Sequence, residues 1–188
     1  MIYILYETAI NKKEDNLIHN NMESRAKEYA VRLHQLSRQT YDDSPYTKHL
    51  EMVHTVARKY SYYIDCKDRD IVLAACWCHD LIEDTDITKN HLSDFLNHKV
   101  AEIVFAVTNE HATSKIERNQ KTFSKIGLNN LAVFVKLCDR IANTSNSKLF
   151  ATEIYNKYIY EFPAFKYYLQ NVGSSYHYMW QELESLYR

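Results

Sequence analysis

The stretch Cys78-His79-Asp80-Leu81-Ile82-Glu83-Asp84-Thr85 sets one imidazole and three carboxylates at the end of an apolar segment. Charged groups in such company need partners. On a helix His79 and Glu83 stand at i, i+4, as do Asp80 and Asp84, so the four side chains can converge on one site. A divalent cation would account for the cluster, and so would a helix end that has emerged into water with its acids hydrated. His49 and Asp139 bear on that choice, because each lies in an otherwise apolar helical frame. With His79 and Asp80 they make a set of two imidazoles and two carboxylates. On Mn, Fe, Zn or Co such a set leaves coordination positions open for water or phosphate, which a catalytic centre requires.

The elements that must position these residues read as helices. Gly 2 and Pro 2 in 188 residues leave little material for tight hairpins or glycine-built phosphate loops. From Met22 the apolar positions Ala26, Tyr29, Ala30 and Leu33 follow i, i+3, i+4, i+7, predicting a helix to about His34. Pro45 suits a first helical turn, and Leu50, Val53, Val56, Ala57 and Tyr60 carry a second helix to about Tyr63, with His49 inside it. Residues 68–82 are apolar on most sides, as in a buried central helix. Thr88 can cap a further helix. Lys99–Val107, Lys115–Ile126 and Asn129–Asn143 follow, the last carrying Asp139 and Asn143, with Gly127 separating the final two.

The tail from Leu149 is rich in tyrosine, and Pro163 and Gly173 divide it into about three helical pieces. Packing with the hydroxyl at the surface is the commoner use of such tyrosines, and stacking on a base the rarer one. Residues 1–21 hold an apolar run (Ile2 to Tyr6) followed by a polar stretch. They read as an N-terminal extension to a core of residues 22–150, with 151–188 as C-terminal helices packed on the same domain.

Composition narrows the function classes. Hydrophobic residues at 46% and charged residues at 25% exclude a disordered chain. Lys+Arg 23 against Asp+Glu 24 offers no global field for a nucleic-acid or membrane partner. Four cysteines without a secretory pattern, and an amino terminus lacking a basic leader, point to reduced thiols and a cytoplasmic location.

Several short motifs occur in order: Leu33-His34, Pro45-Tyr46 with His49, Ala74-Ala75 with His79-Asp80, Glu83-Asp84-Thr85, Val107-Thr108, Glu117-Arg118, and Val135 to Arg140 with Asn143. Over residues 22–150 the chain thereby resembles the HD-domain metal-dependent phosphohydrolases, specifically the RelA/SpoT-type hydrolase domain and its small stand-alone alarmone hydrolase relatives. The resemblance implies an all-α bundle in which His49, His79, Asp80 and Asp139 hold one metal, in this branch typically Mn2+, with Fe, Zn and Co as alternatives. It implies that Glu83 and Asp84 flank the attacking water as catalytic carboxylates and that Asn143 contacts the substrate. Such enzymes remove pyrophosphate from the 3′ position of guanosine tetra- or pentaphosphate.

Two departures concern the substrate. Where the family has a basic, glycine-containing loop, residues 35–44 read Gln-Leu-Ser-Arg-Gln-Thr-Tyr-Asp-Asp-Ser, leaving Arg38 as the candidate guanidinium for a base or phosphate. After Asn143 the chain has Thr144-Ser145-Asn146 in place of a common arginine; Lys115, Arg118 and Lys121 are the positive groups that could compensate. The expectation is a metal-dependent hydrolase of a nucleotide polyphosphate. The alternatives are a nucleoside monophosphate phosphomonoesterase and a non-catalytic nucleotide-binding module. A purely structural protein leaves the acids and imidazoles in apolar helices unexplained. The oligomeric state is left open.

Overall fold

The structure, a computed structural model, describes residues 21–188. The expectations for the apolar run and for almost all of the N-terminal extension lie outside the described residues. The all-α expectation holds, and the elements run α1 (Met22–Leu36), β1 (Thr40–Tyr41), β2 (Ser44–Pro45), α2 (Thr47–Lys59), α3 (Cys66–Cys78), α4 (Leu81–Asp84), α5 (Lys89–Phe95), α6 (His98–Val107), α7 (Lys115–Ile126), α8 (Asn130–Phe150), α9 (Thr152–Leu169) and α10 (His177–Leu186). A single 3-10 turn, Ser61–Tyr63, joins α2 to α3.

Side-chain oxygens cap the helix starts as the sequence allows. Asn21, Thr88, Asn97, Ser114 and Asn129 each accept from a backbone N–H of the first turn, satisfying donors that would otherwise lack a partner. Two helices form the middle. α3 is buried at every position from Val72 to Cys78 and packs on α1, α2 and α6. α8 is buried on most of its circumference and packs on α2, α6, α9 and α10. Neither could remain in water, since Trp77, Leu137, Phe134 and Ile141 are all almost fully covered, each stabilising the fold by about 2 kcal/mol of transferred apolar surface.

Several local expectations are corrected. Pro45 lies in β2, not in a helical turn, and α2 starts at Thr47. The chain does make a tight hairpin despite its shortage of glycine: β1 and β2 pair with Tyr41 opposite Ser44, and the two turn residues, Asp42 and Asp43, take φ of 47° and 58°. Both central residues of such a turn need positive φ, and aspartate tolerates that region better than most residues. The helix predicted to reach Ile82 ends at Cys78, because the Cys76 carbonyl, which a continuous helix offers to the Asp80 N–H, accepts from the His79 ring at 2.9 Å. The tail makes two helices, α9 continuing through Pro163, where the ring removes one N–H without ending the helix.

The C-terminal helices meet the core through specific contacts. Tyr176 packs edge-on against Phe134 and donates from its hydroxyl to the Asn130 carbonyl at 3.2 Å. Glu182 accepts from Lys59 at 2.6 Å and from the Tyr60 hydroxyl. Among the described residues no helix is long and apolar enough to cross a membrane.

A candidate metal centre with a cationic wall

His49 sits in the first turn of α2, His79 and Asp80 in the break after α3, and Asp139 in the middle of α8. The fold closes these three places onto one another. Ligand atoms of His49, His79 and Asp139 all lie within 4.8 Å of each other, and the two Nε2 atoms are 3.1 Å apart. Asp80 Oδ2 joins them at 2.9 Å from His79 Nε2 and 3.4 Å from His49 Nε2. Both imidazoles are 2% exposed, which excludes the reading of a hydrated helix end for this part of the cluster.

The surroundings orient each donor. A carbonyl cannot donate, so the Cys76 contact places a proton on His79 Nδ1 and turns Nε2 toward the cluster, where it holds a proton against Asp80 or gives it up to a metal. The Tyr46 hydroxyl donates to Asp80 Oδ2 at 2.5 Å. Asp139 accepts from Lys136 at Oδ2, 2.8 Å, and from the Asn143 amide at Oδ1, 2.5 Å. Burial alone would lift both carboxyls, but His79 and His49 beside Asp80 hold it well below the usual range. Lys136 and His79 do the same for Asp139. Burial lowers His79, yet Asp80 and Asp139 outweigh it and raise the imidazole to about 9. Two carboxylates that pull a proton this strongly onto a buried imidazole provide the field a dication would satisfy. The N2O2 donor chemistry fits a borderline transition metal, and the residues present therefore fit such an ion.

Above the cluster lies a cavity of about 290 Å³, lined by Tyr41, Tyr46, His49, Asp80, Asn109, Lys115, Arg118, Lys136, Asp139, Arg140, Asn143, Lys157, Tyr158 and Glu161 among others. One wall is cationic. Glu161, 7% exposed, binds Lys115 at 2.8 Å and Arg140 at 3.1 Å, whereas Arg118 and Lys157 have no ion pair among the described residues. Burial lowers the Lys157 ammonium, with Lys115, Arg140 and Arg118 adding to it against the pull of Glu161. A larger groove of about 530 Å³ between α9 and α10 carries no comparable convergence of metal-ligating side chains.

Other residues singled out in the sequence are distributed differently. Glu83 is exposed and both its oxygens are held by Asn109, from the backbone N–H at 2.7 Å and from Nδ2 at 2.6 Å. The break after α3 thus removes the i, i+4 convergence of His79 with Glu83. Asp84 is half-buried, and burial, with Asp80 and Glu83 nearby, raises it to about 6. Asn143 lies in the cavity and accepts from the Tyr41 hydroxyl at 2.8 Å. Arg38 does not line this cavity: it is exposed, at φ 54°, on a separate concavity with Gln35, Asp43 and Pro45. Lys115 and Arg118 reach the wall, while Lys121 pairs with Glu117 at 2.7 Å. Tyr41, Lys157 and Glu161 were not marked by sequence reasoning, and Tyr158 only as one of the tail tyrosines for which packing is the commoner use. For Lys157 and Glu161 the signal was their i, i+4 spacing, which is common on solvated helices.

No protein-family model and no curated protein matches the chain in sequence. Its fold is similar to a solved structure described under the heading "A metazoan ortholog of SpoT hydrolyzes ppGpp and plays a role in starvation responses". The TM-score is 0.73 at 20% identity, over 90% of this chain and 96% of that one.

Proposed function

We propose that the chain is a metal-dependent phosphohydrolase that acts on a nucleotide polyphosphate, removing pyrophosphate from the 3′ position of guanosine tetraphosphate, with Mn2+ held by His49, His79, Asp80 and Asp139. The observation that carries this reading is the buried imidazole–carboxylate cluster beneath a cavity with two unpaired cations on its wall. The similarity in fold to a protein described as hydrolysing ppGpp supports the choice of substrate.

When bound, the metal supplies a water of lowered pKa and offsets charge on phosphoryl oxygens. The chain's own residues do the rest. Asp84, at about 6, is ionised at neutral pH and basic enough to take a proton from water, the compromise a general base needs. Glu83, fixed by Asn109, supports it and ties the loop after α6 to the site. Lys136 compensates Asp139, so the site does not present phosphate with an unbalanced carboxylate. Asn143 lines the cavity with its amide held between Asp139 and Tyr41 and offers its remaining N–H to the substrate, and Arg118 and Lys157 receive phosphate oxygens on the wall. Arg38, on its separate concavity, reaches substrate only if the nucleotide extends past β2.

Pyrophosphate and orthophosphate release from guanosine tetraphosphate by Mn2+-loaded protein tests the reading, with Glu83→Ala/Asp84→Ala as the paired control. Pyrophosphate from the wild type, reduced at least about 1,000-fold in the double variant, is expected. Orthophosphate from nucleoside monophosphates would replace the reading with a phosphomonoesterase. Tight nucleotide binding without either product would replace it with a binding module.

A further inference from the structure

The hairpin β1–β2 is tied down at two points on α8. Asn146 donates to the Asp42 carboxylate, and one turn earlier Asn143 accepts from the Tyr41 hydroxyl at 2.8 Å. Between them Asp42 and Asp43 hold φ of 47° and 58°, a conformation that L-residues enter at a cost and that persists where the surroundings dictate it. Both turn residues are exposed, so they add nothing to the core. What the strained turn fixes is the placement of Tyr41.

Tyr41 meets the donor cluster twice. Its ring stacks on the His49 imidazole, with centroids 4.9 Å apart and planes 19° from parallel. Its hydroxyl donates to Asn143 Oδ1, which leaves the Asn143 amide nitrogen 2.5 Å from Asp139 Oδ1. Turned over, that amide would set its carbonyl against a carboxylate. Tyr41 on one side and Asp139 on the other therefore select a single orientation.

We propose that Tyr41 is a positioning residue of the metal centre: through the His49 stack and the Asn143 hydrogen bond it holds His49 and Asp139 in the geometry that takes up a divalent cation. The proposal rests on the metal-centre reading above and not on the identity of the substrate. Orienting partners of this kind affect metal affinity without touching the ion.

Co2+ titration of chelator-stripped protein, followed by its visible absorption bands, reads the centre without substrate. Tyr41→Phe keeps the ring on His49 and deletes only the hydroxyl; Tyr41→Leu deletes both contacts. A graded loss is expected, about tenfold in Co2+ affinity for Tyr41→Phe and about 100-fold for Tyr41→Leu, with shifted bands in the latter. Melting of the stripped Tyr41→Phe protein should match wild type. Equal affinity and identical bands in all three proteins would overturn the proposal. So would an affinity loss in Tyr41→Phe that merely tracks a lower melting temperature of the stripped protein, since that marks a packing residue. A wild type that binds no Co2+ would overturn both this proposal and the metal-centre reading. A wild type that binds Co2+ but hydrolyses nothing removes the hydrolase reading alone, and the variant series still decides the role of Tyr41.

Discussion

At the scale of single residues, the sequence marks chemistry best where a charged side chain interrupts an apolar run. His49, His79, Asp80 and Asp139 stand out for that reason, and the fold brings them together. Glu83 and Asp84 stand out equally, yet one is exposed on Asn109 and the other half-buried beside Asp80, because the break after α3 redirects them. Residues whose importance comes from a neighbour in space left no such mark. His34 is one: it is 1% exposed, its ring stacks on Tyr46 at 4.4 Å, and neither ring nitrogen has a hydrogen-bond partner among the described residues. Burial lowers it from 6.5 to about 4, outweighing the opposite pull of Asp80. Its stabilising contribution is complete above the unfolded value and is lost as pH falls from about 6.5 towards about 4. Urea unfolding of chelator-stripped protein should therefore show wild type losing about 2 kcal/mol more than His34→Leu between about pH 7.5 and about pH 5. An equal pH dependence in both proteins would remove His34 as a source of acid sensitivity.

At the scale of elements, periodicity located the helices, and their ends were set by contacts that periodicity does not contain. α8 runs on to Phe150 rather than stopping at Asn143 because Thr144, Asn146 and Ser147 are buried polar residues with partners on other elements or within the helix. The hairpin ahead of α2 was missed for a different reason. Its turn uses Asp42 and Asp43 where glycine would have signalled it, and the Asn146 bond that holds Asp42 comes from 104 residues away. The backbone there makes a definite prediction at Asp43, which is exposed at φ 58°. Asp43→Gly should be neutral or stabilising by up to about 1 kcal/mol, whereas Asp43→Val should cost about 1–2 kcal/mol. Chemical denaturation of the two variants checks this, and a stable Asp43→Val protein would show that the turn can adopt another conformation.

At the scale of the whole molecule, the cavity exists because α7 and α9 close over a centre built from α2, α3 and α8. Glu161 is the junction: from α9 it reaches Lys115 on α7 and Arg140 on α8, and Arg140 in turn lies 4.6 Å from the Tyr158 ring and 4.7 Å from the Phe165 ring. Removing one partner of such a network leaves a buried charge without compensation. Glu161→Gln should lower stability by about 3 kcal/mol, and pyrophosphate should raise its melting temperature more than that of wild type, because the wall has gained a net positive charge. An unchanged melting temperature without pyrophosphate would mean that Arg140 finds another partner. The sequence by itself determined the helical class, most helix starts, and the set of imidazoles and carboxylates able to hold a cation, because those follow from local periodicity, capping and the cost of placing charge among apolar residues. Only the tertiary structure decided which cations stay unpaired, that Arg38 lines a separate concavity, and that Tyr41 and Glu161 line the cavity. Those outcomes depend on contacts between residues tens of positions apart, which no local pattern of residue types records.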